Sequence, residues 1–165
     1  RPTPQELRDI EAVLFDRQNH HAAGIPLVDI FHFSIATCMR LGEVTRIRWE
    51  DLDIKNKKII IRDRKDPRHK IGNHCTIPLL GDSLKIILKQ PKLDNEGRIF
   101  PYNPQSISAA WQRTCKKLKI LDLRYHDLRA EGACRLFESG MSIVEVSKIT
   151  GHKDINILNN IYLRI

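Results

Sequence analysis

Tyr162, at position 162 of 165, lies ten positions after His152 in Thr-Gly-His-Lys and thirty-three after Arg129 in His-Asp-Leu-Arg. A tyrosine hydroxyl placed behind two histidines and an arginine can attack a phosphodiester. Because a phenol ordinarily ionises at about pH 10, it needs positive charge or a base beside it. The same transfer requires donors for the non-bridging oxygens and an acid for the departing alkoxide. Arg40, Lys65, His126, Arg129 and His152 are residue types that fill these roles without a metal ion.

Arginine suits the phosphate because its planar fork stays charged and can hold two oxygens at once. Arg40 follows an apolar run and precedes Leu-Gly-Glu; taken alone it reads as a structural ion-pair partner. His126 and Arg129 are spaced i, i+3, so a helix beginning near Tyr125 projects both from one face, where its N-terminal dipole favours an anion. The plainer alternative has His126 capping the helix and Arg129 solvated. His152 follows Thr150-Gly151, a turn between helices, and adds one hydrogen-bond donor. Lys65 lies in the basic hairpin Arg-Asp-Arg-Lys-Asp-Pro-Arg-His-Lys, from which a lysine can reach the minor groove and protonate a departing 5′ oxygen. Lys70 is its rival for that role. Arg62, Arg64, Arg68, His69 and Lys70 of the same hairpin read either as a solvated charged loop or as phosphate contacts. An isolated tyrosine near a C-terminus is ordinarily a packing residue, and only the ordered set favours chemistry.

These groups need a scaffold. The chain has 165 residues, 41% of them hydrophobic, enough for one well-buried core and a single compact domain. Lys and Arg number 28 against 20 Asp and Glu, a formal charge of +8 that favours a polyanionic partner but could equally serve solubility. Cys38, Cys75, Cys115 and Cys134 are far apart and form neither a Cys-x-x-Cys pair nor a disulfide framework. They read as small buried hydrophobes in a reduced cytosol, and no metal site is expected. The longest apolar stretch, residues 25–39, is broken by Asp29 and His32 and is too short for a bilayer. A soluble, cytoplasmic chain with no membrane partner is expected.

Thr3 as a cap and Pro4 at the first helical position open a helix carrying Leu7, Ile10, Val13 and Leu14. Residues 26–38 form a second helix, apolar nearly all round as at the centre of a domain, and residues 41–47 a short third. Between 50 and 80 the β signals gather. Residues 58–61 are a β-branched run, Asp66-Pro67 and Gly72-Asn73 are turn formers, and Cys75-Thr-Ile-Pro is a further strand. Helical spacing returns over 83–89, 105–118, 127–138, 143–149 and from about 156, the last segment carrying Tyr162. The fold class is mostly α with a small antiparallel β-sheet.

Six features occur together: Arg40 in Ala-Thr-Cys-Met-Arg-Leu-Gly-Glu-Val, Trp49 in Arg-Ile-Arg-Trp-Glu-Asp-Leu-Asp, Lys65 ahead of Thr-Ile-Pro-Leu, His126-Asp-Leu-Arg129, Thr-Gly-His152-Lys and Tyr162. Their order and spacing resemble the tyrosine recombinases, the family of phage integrases, chromosome-dimer resolvases and shufflon-type invertases. The resemblance runs from residue 3 to residue 164 and implies a tyrosine recombinase catalytic-domain architecture acting in site-specific DNA recombination. It implies that Tyr162 attacks the scissile phosphate to give a 3′-phosphotyrosyl link, that Arg40 and Arg129 neutralise the pentacoordinate phosphate, and that His152 hydrogen-bonds it. It further implies that Lys65 protonates the 5′ leaving group and that His126 assists proton transfer at the tyrosine. Neither a metal, ATP nor another cofactor is implied. The implied partner is double-stranded DNA, with the full-length parent a bacterial or phage-encoded tetramer on it.

Ala130 follows Arg129 where the family commonly has a histidine or another polar residue. The chain also starts at the catalytic domain and stops at Ile165, whereas family members usually carry an N-terminal DNA-clamping domain and a C-terminal docking segment. Residues 1–165 are therefore expected to be one catalytic domain, a monomeric fragment with weak DNA affinity. Three other readings compete. A type IB topoisomerase resembles this family in fold and chemistry, but the short basic hairpin fits recombinases better. A non-catalytic helical DNA-binding module would be indifferent to loss of the Tyr162 hydroxyl. A helical protein with incidental charge would show no salt-dependent DNA affinity.

Overall fold

Thr3 opens the first helix, α1 (Pro4–His20), with a reciprocal cap. Its Oγ1 accepts the Glu6 N–H at 3.0 Å while Glu6 Oε1 accepts the Thr3 N–H at 2.9 Å. The computed structural model describes residues 1–20, 24–64 and 71–165. Helix α2 (Leu27–Thr37) buries seven of its eleven residues, as its all-round apolar sequence requires. The expected third helix is shorter than its pattern, α3 (Leu41–Val44), and a 3₁₀ turn (Trp49–Asp51) follows.

Three antiparallel strands come next, β1 (Leu52–Asp53), β2 (Lys58–Ile61) and β3 (Cys75–Pro78), in that spatial order. β1 is two residues long, too short for alternation to announce it. In the β2–β3 register Ile59 faces Ile77 and Ile61 faces Cys75, which sets Ile59, Ile61 and Ile77 into the core. The remaining helices are α4 (Ser83–Lys89), α5 (Pro104–Lys117), α6 (Asp127–Glu138), α7 (Ile143–Thr150) and α8 (Ile155–Tyr162). Each lies within one or two residues of its sequence expectation. Among the described residues no helix is long and apolar enough to cross a membrane.

Helix α2 separates two cores. Ile30 and Phe33 face the sheet, with Ile59, Ile61, Ile77, Ile87 and Phe100. Leu27, Phe31 and Ile35 face α1, α5 and α6 through Ile10, Leu14, Trp111 and Leu128. A third, smaller cluster of Ala133, Phe137, Val146 and Leu158 joins α6, α7 and α8. Tyr125 pins the start of α6 from below: its buried hydroxyl bonds Ser34 Oγ at 2.6 Å and its ring meets Trp111 edge-on.

Helices α2 and α6 approach closely at Gly132. A Cβ there would fall against the Ile35 carbonyl oxygen and 2.8 Å from Cys38 Sγ, so the helices cross with no room for a side chain. In an exposed helix Gly→Ala would gain about 1 kcal/mol. Here Gly132→Ala is expected to lose about 1–3 kcal/mol net through overpacking, measured by urea unfolding. The same variant should weaken the site described next, because α6 carries Arg129.

Candidate active site

The bend between α2 and α3 forms the floor of the site. Cys38 ends α2 in the left-handed conformation at φ 57°, which costs a non-glycine residue about 1–2 kcal/mol. The bend turns its carbonyl toward α6, where it accepts Arg129 Nη1 at 2.7 Å. Arg129 Nη2 donates to the Thr150 carbonyl, also at 2.7 Å. This guanidinium is 4% exposed and is held by two backbone dipoles; among the described residues no carboxylate bonds it.

Arg40 is the N-terminal cap of α3, and Glu43 stands three residues on. Glu43 Oε1 accepts the Arg40 backbone N–H at 2.9 Å, and Oε2 accepts Arg40 Nη1 at 3.3 Å and Arg64 Nε at 3.0 Å. Glu43 is 2% exposed, so one buried carboxylate serves two guanidiniums with a third close by. Burial, then Arg40 and Arg64, press the Arg129 pKa down to about 10 against the opposing pull of Glu43. Arg129 remains a cation at neutral pH, in a pocket short of negative charge.

His152 completes the rim. Helix α7 ends at Gly151, φ 78°, whose N–H bonds the Ser147 carbonyl at 2.8 Å. A Cβ on Gly151 would sit 3.0 Å from both Cδ and Nε of Arg64, so glycine is required for the turn and for the packing. The Thr150 hydroxyl accepts the His152 backbone N–H at 3.3 Å and lies 2.7 Å from Nδ1. In the tautomer in which the hydroxyl donates to Nδ1, the hydrogen of the neutral ring is on Nε2, where it can be donated. Burial, then Arg129, Arg40, Arg64 and His126, push the His152 pKa down to about 4, so the ring is neutral at physiological pH. His126 is exposed at the cap of α6, where its side chain makes no capping hydrogen bond, and lies close enough to act on His152.

The hairpin departs from its sequence reading. Arg64, expected at a DNA-facing surface, is 1% exposed and bonds Glu43 and, at 2.6 Å, the Ile149 carbonyl. It cannot touch a phosphate from that position. Arg62 is half-exposed, but Nε and Nη2 grip Asp51 at 2.9 and 2.6 Å, making it a strut between the sheet and the 3₁₀ turn. Lys65, Arg68, His69 and Lys70 lie outside the described residues.

Tyr162, at the end of α8, is 49% exposed and packs edge-on against Phe137 with ring centroids 5.2 Å apart. Phe137 is eight residues beyond Arg129 on α6, roughly 12 Å along the helix. Among the described residues no hydrogen bond joins the Tyr162 hydroxyl to Arg40, Arg129 or His152. The structure thus gathers Arg40, Arg129 and His152, with His126 beside them, and holds Tyr162 apart. The groups that sequence reasoning missed are Glu43, Thr150 and the Cys38 carbonyl. Only Glu43 left a signal, the Arg-x-x-Glu spacing of a capped helix start. A cleft of about 750 Å³ bordered by Asp29, His32, Lys85 and Leu136 contains none of these groups.

Two measurements check this electrostatic picture. Proton NMR should show the His152 ring neutral down to about pH 4, and orthovanadate should raise that value by cancelling the arginine field. Since an unfolded histidine takes up its proton at about 6.5, the His152 contribution makes stability fall as pH drops from about 6.5 toward 4 and leaves it unaffected above that window. A free-protein pKa near 6.5, or no response to vanadate, would contradict the picture.

Residues 5–165 match the phage integrase family. The shufflon-specific DNA recombinase of Escherichia coli is 32% identical over 130 residues, which cover 78% of this chain and 32% of that protein. The chain therefore spans about a third of the length of that curated relative. Among solved structures, the Tn1549 transposon integrase in complex with a circular intermediate DNA superposes with a TM-score of 0.73 at 17% identity, over 98% of this chain and 60% of that one. A lambda integrase dimer bound to a COC' core site gives 0.71 at 18% identity, over 98% and 47%. These likenesses show a tyrosine recombinase catalytic-domain fold, and the match along nearly all of its residues shows that this chain belongs to the phage integrase family.

Proposed function

We propose that this chain breaks and rejoins duplex DNA in site-specific recombination through a covalent 3′-phosphotyrosyl link. The observation that carries the reading is the surplus of guanidinium over carboxylate in the pocket: among the described residues, Arg40, Arg64 and Arg129 stand around the single carboxylate of Glu43. A buried excess of positive charge is costly, and an entering phosphodiester relieves it most when the phosphorus is pentacoordinate and carries most charge. Arg40 and the unused N–H groups of Arg129 meet the non-bridging oxygens, and His152 donates from Nε2.

Tyr162 attacks the phosphorus, passing its proton toward His126, and forms the P–O bond as the bond to the 5′ oxygen breaks. Lys65, or its rival Lys70, protonates that oxygen. The bond energy stays in the ester, so a 5′-hydroxyl from a partner strand reverses the step. To reach the phosphate Tyr162 leaves Phe137. This is a modest demand, because Leu158 is the only fully buried residue of α8 and its contacts are worth about 2–5 kcal/mol. No metal or other cofactor enters this scheme. We extend it to a full-length parent that assembles as a tetramer on DNA, a reading supported by the likeness to a lambda integrase tetramer bound to a Holliday junction.

The test is covalent trapping on nicked suicide DNA bearing the parent element's ends. The wild type should give an SDS-resistant adduct, Tyr162→Phe none despite unchanged duplex binding, and Arg129→Ala a rate at least ~100-fold lower. An adduct that survives Tyr162→Phe would remove Tyr162 from the nucleophile's role. Tight DNA binding with no adduct from the full-length parent would leave a binding module instead.

A further inference from the structure

We infer that Arg64 is a positioning residue that ties the base of the β2–β3 hairpin to the phosphate pocket, so that the hairpin and the pocket are set as one unit. The inference rests on the strand-transfer reading above and concerns a residue that touches neither DNA nor the nucleophile.

The case is geometric. The Arg64 guanidinium is one of the largest fully buried groups in the molecule and spans four segments. Nε bonds Glu43 at 3.0 Å, which in turn holds Arg40. Nη1 bonds the Ile149 carbonyl at 2.6 Å in the last turn of α7 and lies 3.6 Å from Cys75 Sγ on β3. The stem packs under Gly151, immediately before His152. On the main chain, the Arg64 N–H donates to the Asn73 carbonyl at 2.7 Å and the Arg64 carbonyl accepts Asn73 Nδ2 at 2.8 Å, closing the hairpin at its base. The residue that follows Arg64 in sequence is Lys65. Arg64 therefore fixes the origin of the segment that carries the proposed general acid, relative to the arginine that binds the phosphate and the turn that presents His152. A planar fork can bond a carboxylate and a carbonyl in different directions at once, whereas an ammonium cannot hold both in register.

The experiment compares the wild type with Arg64→Lys and with the double variant Arg64→Met/Glu43→Gln, which removes the buried Arg64–Glu43 pair together, and takes Glu43→Gln alone as the control for the carboxylate that Arg40 loses. Three readouts are taken: adduct formation on the nicked substrate, the salt dependence of binding to a 20-base-pair duplex, and the His152 proton NMR titration. A positioning role predicts adduct formation slowed about 100-fold in both variants, the scale of a misplacement near 1 Å. It also predicts an unchanged salt slope and, in the double variant, a His152 pKa that moves from its wild-type value. A salt slope reduced by about 1 would make Arg64 a phosphate contact and overturn the inference. So would wild-type values on all three readouts. If the wild type itself forms no adduct, the strand-transfer reading fails while the His152 titration still decides whether Arg64 sets that turn.

Discussion

The site depends on one buried carboxylate being outnumbered. Glu43 can neutralise one charge, yet three guanidiniums converge on its neighbourhood. The fold tolerates the excess because Arg129 is held by the carbonyls of Cys38 and Thr150. A carbonyl dipole steadies a cation without cancelling its charge. The left-handed turn at Cys38, the missing side chain at Gly132 and the glycine turn at 151 all serve to aim or admit those dipoles. Among the described residues the pocket holds more positive than negative charge, an excess that an anion would offset.

How much of this was legible depended on how local each signal was. Helix starts were readable because caps and prolines act over three or four residues, as Thr3 and Glu6 do. The order Arg40, His126, Arg129, His152, Tyr162 was readable as a pattern, but the contacts that hold it were not, since Cys38 and Arg129 are 91 residues apart in sequence. Arg64 was misread for a specific reason. Along β2 the alternation places Ile59 and Ile61 inward, and a strict period of two would turn Asp63 inward next. The strand ends at Ile61, and Asp63 takes a positive φ of 49°, which resets the phase and sends Arg64 into the core. A run of charges in a hairpin does not reveal such a reset.

Helix α6 works as a ruler between Arg129 and the seat of Tyr162. Arg129 sits in its first turn and Phe137, the seat of Tyr162, near its last. Arg129 is locked by buried polar contacts, while the half-exposed Tyr162 rests on the buried ring of Phe137 at the edge of the smallest cluster. Polar and aromatic anchoring thus stand at opposite ends of one element.

The place of α2 between two cores carries one more consequence. Because Ile30 and Phe33 belong to one cluster and Phe31 and Ile35 to the other, neither core can melt without loosening the helix that both share. The same helix ends in the turn that orients Arg129. Unfolding is therefore expected to be cooperative at the centre of the domain, with the α2 amides among the slowest to exchange with solvent. The turn that orients Arg129 is thus tied to both cores and not to a separate local unit.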